Sequence, residues 1–150
     1  MRKLLLSIIM ILTLSPLTNA TEVVVKDGKE YPLEKLREQN QKIIKMVVEE
    51  VSKNLPQKVN KYTQMTKVRD ENLTLIYTFE INASPKSDET VRKEGKAKMQ
   101  KNVSKGICQS SKRFLDAGVT IAYEYISAST KKELFTFTMT QKICKELRYD

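Results

Sequence analysis

Cys108 and Cys144 are the only two cysteines in this 150-residue chain. One falls in a helix-patterned stretch and the other just past the last strand-like run, so their state decides how the final third of the chain is tied down. Four roles compete. A closed zinc site needs more ligands than two cysteines supply, and histidine is absent. A catalytic thiolate at Cys108 would have Lys105, Lys112 and Arg113 to depress its pKa, but no histidine partner. Cys108-Gln109-Ser110-Ser111 mimics a thioredoxin-type CxxS, yet no second cysteine lies within three residues and no βαβ pattern surrounds it. The fourth role is a disulfide between the two.

The compartment chooses among them. Arg2 and Lys3 precede an apolar run, Leu4 to Leu14, too short to span a bilayer comfortably. Ser15 and Pro16 break the run, and Thr18-Asn19-Ala20 ends in a small residue that suits signal peptidase. Residues 1–20 are therefore expected to be a cleaved signal peptide, with a periplasmic or secreted product. No cysteine follows the run to accept a lipid, and no stable membrane anchor is expected. In an oxidising compartment two cysteines ordinarily pair. Closing a loop of about 36 residues stabilises a fold by roughly 4 kcal/mol in the chain-entropy model.

About 130 residues remain after cleavage, the size of one domain. The formal charge of +9 falls to +7 without Arg2 and Lys3. The lysines are spread along the sequence, with no compact arginine cluster and no aromatic interleaving, so no nucleic-acid partner is expected. An anionic or acidic partner suits the charge, and plain solvation of spread-out lysines is the simpler account.

Residues 21–31 read as an N-terminal arm: Val23-Val24-Val25 is β-like and Asp27-Gly28 is a turn signal. Residues 32–150 read as a single α+β domain. Pro32 opens a helical pattern, with Leu33, Leu36, Ile43, Ile44, Val47, Val51 and Leu55 at helical spacing. Pro56 is expected to end the helix at Asn54. Val59 to Val68 reads as a polar strand, Arg69 to Asn72 as a turn, and Leu73 to Ile81 as an alternating strand. A second helical pattern runs from Asp88 to Asp116, and Gly118 stops it. At about 43 Å it outruns the strands it must cover, so fraying at its start or a kink at Gly95 or Gly106 is expected. Val119 to Tyr125 and Phe135 to Ile143 then read as a second hairpin, before a charged, frayed tail over 145–150. The order αββαββ makes two helix-plus-hairpin units. It predicts a four-stranded antiparallel sheet with both helices on one face, one disulfide, and a second face rich in Thr and Glu. For Cys108 to reach Cys144, the second helix must cross the sheet obliquely or the C-terminus must fold back over it.

The layout Leu55-Pro56, Val59, Thr63, Leu75-x-Tyr77, Cys108, Arg113-x-Leu115-x-x-Gly118, Tyr123-x-Tyr125, Cys144 resembles a broad set of small exported proteins of Gram-negative bacteria. It is also distantly similar to the periplasmic pilotins that chaperone secretin subunits of type II secretion systems. Such pilotins are commonly lipoproteins, and the acceptor cysteine is missing here. The resemblance implies an accessory role in an envelope or secretion assembly and carries no catalytic motif.

The expected function is that of a non-enzymatic periplasmic binding or accessory protein with a protein partner and no cofactor or metal. The alternative is a secreted inhibitor or immunity-type protein that blocks an enzyme. Tyr123, Tyr125, Thr136 and Thr138 are the candidate partner surface: tyrosine joins an apolar body to a polar tip, and Thr-rich strands suit strand addition. Glu80 and Glu124 are the carboxylates from which an enzyme would draw an acid–base pair. Both read instead as outward-facing strand residues.

Overall fold

The structure, a computed structural model, describes residues 23–26 and 28–149. The signal peptide expected over residues 1–20 lies outside them. The arm forms a hairpin of β1 (Val23–Lys26) and β2 (Lys29–Pro32), turned at Gly28, whose φ of +72° suits glycine. It leads into α1 (Leu33–Ser52), which ends two residues before the expected Asn54. Ile44 is fully buried, with Val47, Val48 and Val51 packed beside it at helical spacing.

The sheet has five strands and is mixed, which corrects the four-stranded antiparallel expectation. In order across it lie β3 (Gln57–Lys58), β4 (Thr63–Glu71), β5 (Thr74–Ile81), β6 (Thr120–Ser127) and β7 (Glu133–Met139). The two hairpins are antiparallel, but β5 and β6 run parallel, with Tyr77 opposite Tyr123. The reason is the connection. The chain leaves the end of β5, runs back the length of the sheet as a helix, and re-enters beside the start of β5, which is the crossover that parallel strands require.

That crossover is α2 (Asp88–Thr90), a π-helical segment over Val91–Gly95, α3 (Lys96–Ser110) and α4 (Lys112–Asp116). Ser87 caps its start by accepting from the Thr90 N–H at 3.3 Å. The irregularities sit at the π segment ending at Gly95 and at Ser111, where φ is −107° and ψ 15°; Gly106 lies within α3. At Gly95 an added Cβ would come within 3.4 Å of Phe135 and Val91, so a small residue lets the helix approach β7. Gly118 ends the crossover at φ +84°.

Other local readings change as well. The strand read from Val59 starts at Thr63, and it continues through the expected turn to Glu71. The reversal is made by Asn72 and Leu73 alone, at φ 44° and 64°, a type I′ pattern that usually recruits glycine. Ile143 lies not on the last strand but in α5 (Gln141–Glu146), capped by the Thr140 hydroxyl, which accepts from the Ile143 N–H at 3.2 Å. The tail beyond it is ordered by Tyr149, whose N–H donates to the Cys144 carbonyl at 3.0 Å and whose ring packs on the core. The Cys108–Cys144 disulfide is present, with Cα atoms 5.6 Å apart. Of the two routes open to it, the chain uses the folded-back C-terminus.

Candidate functional site

Cross-strand partners share a face, so the register sorts the side chains. One row across the helix side reads Val68, Tyr77, Tyr123 and Phe137. Val68 and Phe137, on the outer strands, are buried; Tyr77 and Tyr123, on the central strands, are only half-buried. Spacing explains the difference. α1 packs over β4 and α3 over β7. Strands lie about 4.8 Å apart, so these seats are about 14 Å apart, whereas packed helices sit about 8–10 Å apart. At one end the gap is bridged: the Asn40 side chain on α1 donates to the carbonyl of Ala117, just past α4, at 2.7 Å. There Leu75 and Ile121, beneath, are fully buried. Next to them Tyr77 and Tyr123 are only half-buried, as are Val47 and Val51 on α1 and Met99 and Val103 on α3, which outlines a shallow trough that ends at the buried row of Phe79 and Tyr125.

The floor is one aromatic network. Tyr77 meets Tyr123 edge to face at 5.4 Å, Phe79 lies 4.9 Å from Tyr123 and stacks at 5.1 Å on Tyr125, and Tyr125 reaches Phe135 at 5.2 Å. Such pairs add about 0.5–1.5 kcal/mol each beyond burial. Burial, with Tyr123 alongside, pushes the Tyr77 and Tyr125 hydroxyls up to about 12. Burial also raises Tyr123. All three stay protonated and uncharged at neutral pH, which suits an apolar partner carrying a hydrogen-bonding edge.

The four residues of the expected partner surface are not brought together. Tyr123 floors the trough. Tyr125 is buried in the aromatic network at 5 % exposure. Thr136 and Thr138 pair with Glu124 and Ala122 and lie on the opposite face, with Thr138 exposed. Tyr77 was missed as a member of the trough. Its signal was the alternation Leu75-x-Tyr77 beside Tyr123-x-Tyr125, but the two pairs become neighbours only when β5 and β6 run parallel.

The opposite face is Thr- and Glu-rich as expected, and among the described residues no helix covers it. At its centre Arg69, read from sequence as part of a turn, donates to Glu124 at 2.9 Å and to Thr78 at 3.3 Å, and the Thr78 hydroxyl donates to the same Glu124 oxygen at 2.9 Å. Burial pushes the Glu124 carboxyl up, but the bonds from Arg69 and Thr78 outweigh it and leave the group below its ordinary range. Glu80 bonds instead to Lys131 at 2.8 Å and Gln64 at 3.3 Å. The two carboxylates thus serve separate polar contacts, each spoken for by a cation.

The mixed sheet with helices on one side places the chain in a class of α+β folds with solved members. The structure is similar to a Pseudomonas aeruginosa protein described as secreted, with TM-score 0.63 and 18% identity over 73% of this chain and 96% of that one. It is similar to EpsS, a pilotin of the Vibrio vulnificus type 2 secretion system, with TM-score 0.60 and 10% identity over 74% of this chain and 96% of the other. It is also similar to AspS, a type II secretion system pilotin of Vibrio cholerae, with TM-score 0.54 and 9% identity over 75% and 98%. At these identities the fold is what is shared. Within that class the chain belongs to the family described as domain of unknown function DUF8479, which matches residues 38–135. No curated protein matches it in sequence.

Proposed function

We propose that this is an exported, non-enzymatic accessory protein that binds a protein partner in the service of an envelope or secretion assembly. The observation that carries the reading is the trough: half-buried Tyr77 and Tyr123 on the helix side of a fold shared with two pilotins. An apolar segment of a partner laid between α1 and α3 would cover the open part of the aromatic floor, and tyrosine hydroxyls would bond its polar edge. The disulfide holds one wall of the trough in place. A photo-crosslinking residue at position 77 or 123 tests this in the periplasm of a host carrying the native partner set. A crosslink to a component of an envelope assembly is the expected product, and crosslinkers at Thr138 serve as the control. Capture of a hydrolase whose activity falls on binding would favour the inhibitor reading, for which the rigid stapled scaffold is equally suited.

A further inference from the structure

The positive charge that is spread along the sequence is not spread over the fold. From Gly95 to Leu115 there is no acidic residue, while Lys96, Lys98, Lys101, Lys105, Lys112 and Arg113 are all exposed. By contrast α1 mixes acids and bases along its length. α5 and the turn after it add Lys142, Lys145 and Arg148, also exposed. The acids nearby are already engaged: Glu94 with Lys86 and Lys98, Asp116 with Lys112 and Gln141, and Glu146 with Lys142. Among the described residues, Lys96, Lys101, Lys105, Arg113, Lys145 and Arg148 make no ion pair.

We propose that the surface made by α3, α4 and α5 docks the protein on an anionic phospholipid bilayer. The Cys108–Cys144 bond joins α3 to α5, so cations from two elements form one fixed surface. Within it Leu147 is 43 % exposed, beside a shallow groove of about 270 Å³ that it lines with Lys101, Ala97 and Tyr149. An exposed apolar side chain with Lys101 lining the same groove, on a surface of exposed cations, matches a headgroup layer: the ammonium groups meet phosphates, and the leucine reaches the acyl boundary. The unpaired cations extend along α3, about 22 Å long, without gathering into an arginine fork. That pattern fits many mobile headgroups better than one shaped acidic protein site. Among the described residues no helix is long and apolar enough to cross a membrane, so the contact is peripheral. This inference does not depend on the trough, which lies between α1 and α3.

The test is flotation of the protein, recovered from the periplasm of an expression host, with phosphatidylcholine vesicles with and without phosphatidylglycerol. Partition onto the anionic vesicles alone is expected, falling steeply as salt rises from about 0.05 to about 0.5 M. Each lysine near a charged surface is worth about 1 kcal/mol, or roughly fivefold in partition. The combined variant Lys101→Gln, Lys105→Gln, Lys145→Gln should therefore lose about a hundredfold. Its circular dichroism spectrum and melting temperature should stay unchanged, since all three residues are exposed. The variant Lys35→Gln, Lys42→Gln, Lys45→Gln on α1 should stay within about threefold of the parent. Equal partition onto neutral vesicles, equal losses in the two variants, or capture by soluble polyglutamate without vesicle binding would each overturn the proposal, the last in favour of an acidic protein.

Discussion

Arg148 has φ 56°, the left-handed region, at the position past a helix end where glycine is usual. Its N–H donates to the Lys145 carbonyl at 3.1 Å and the next N–H, of Tyr149, to Cys144 at 3.0 Å, the paired bonds that close such an end. The backbone bonds do not need the arginine side chain, while its Cβ carries the steric cost of the conformation. Arg148→Gly should therefore raise stability by about 0.5–1 kcal/mol, read as a higher denaturant midpoint at unchanged slope. Arg69 is the opposite case. It sits at the centre of the open face, and removing it leaves Glu124 half-buried with only Thr78. Arg69→Ala should cost about 2 kcal/mol, in the range of charge-assisted hydrogen bonds. Because the Glu124 pKa is lower folded than unfolded, the pair's contribution is complete above the ordinary glutamate range and is lost as pH falls through the folded value. The variant should accordingly lose less stability than the parent between neutral pH and strong acid. An identical acid slope in the two proteins would show that Arg69 is not what holds the carboxylate down.

At the scale of elements, period-two alternation made β5, β6 and β7 legible: the apolar alternating residues read from sequence on them, Ile143 excepted, share the helix-facing side. The two hairpin pairings were legible, but the parallel partnership of β5 and β6 was not, because alternation says which face a residue occupies and not which strand lies beside it. That choice was made by the length of the crossover between Ile81 and Thr120, which returns the chain to the start of β5. Arg69 was read into a turn because four polar residues in a row look like one. The chain turns instead at Asn72-Leu73, where leucine accepts a left-handed φ that its residue type argues against. The disulfide was legible from compartment and count; its geometry left an oblique helix or a folded-back end open, and the chain uses the second. Closing a separation of 36 residues, it should contribute about 4 kcal/mol at most, so reduction should lower the melting temperature by roughly 10–20 °C. Gly106, suspected of bending the second helix, lies within α3 with nothing within 4 Å of an added Cβ. Gly106→Ala should stabilise the protein by about 1 kcal/mol on helix propensity alone, measured by thermal or urea unfolding.

Across the whole molecule the aromatic network is the common thread, running from Tyr77 on β5 through Phe79, Tyr123 and Tyr125 to Phe135 and Phe137 on β7. It ties the two hairpins together over the parallel β5–β6 junction, which no turn connects directly. Its three tyrosines share one liability. The folded state holds Tyr77 and Tyr125 at about 12 because burial disfavours the phenolate, whereas an unfolded tyrosine ionises near 10. Below pH 10 both states keep the proton and the tyrosines add no pH dependence. Between 10 and about 12 the unfolded chain releases protons that the folded chain retains, so stability falls with rising pH and levels off once the folded groups ionise too. Urea titrations across that interval should show the decline. Tyr77→Phe and Tyr125→Phe should each remove part of it, and the double variant most of it. Lysines also lose charge in this range, which is why the slope difference between parent and variants is the quantity to read. A double variant with the parent's slope would leave Tyr77 and Tyr125 outside the alkaline loss.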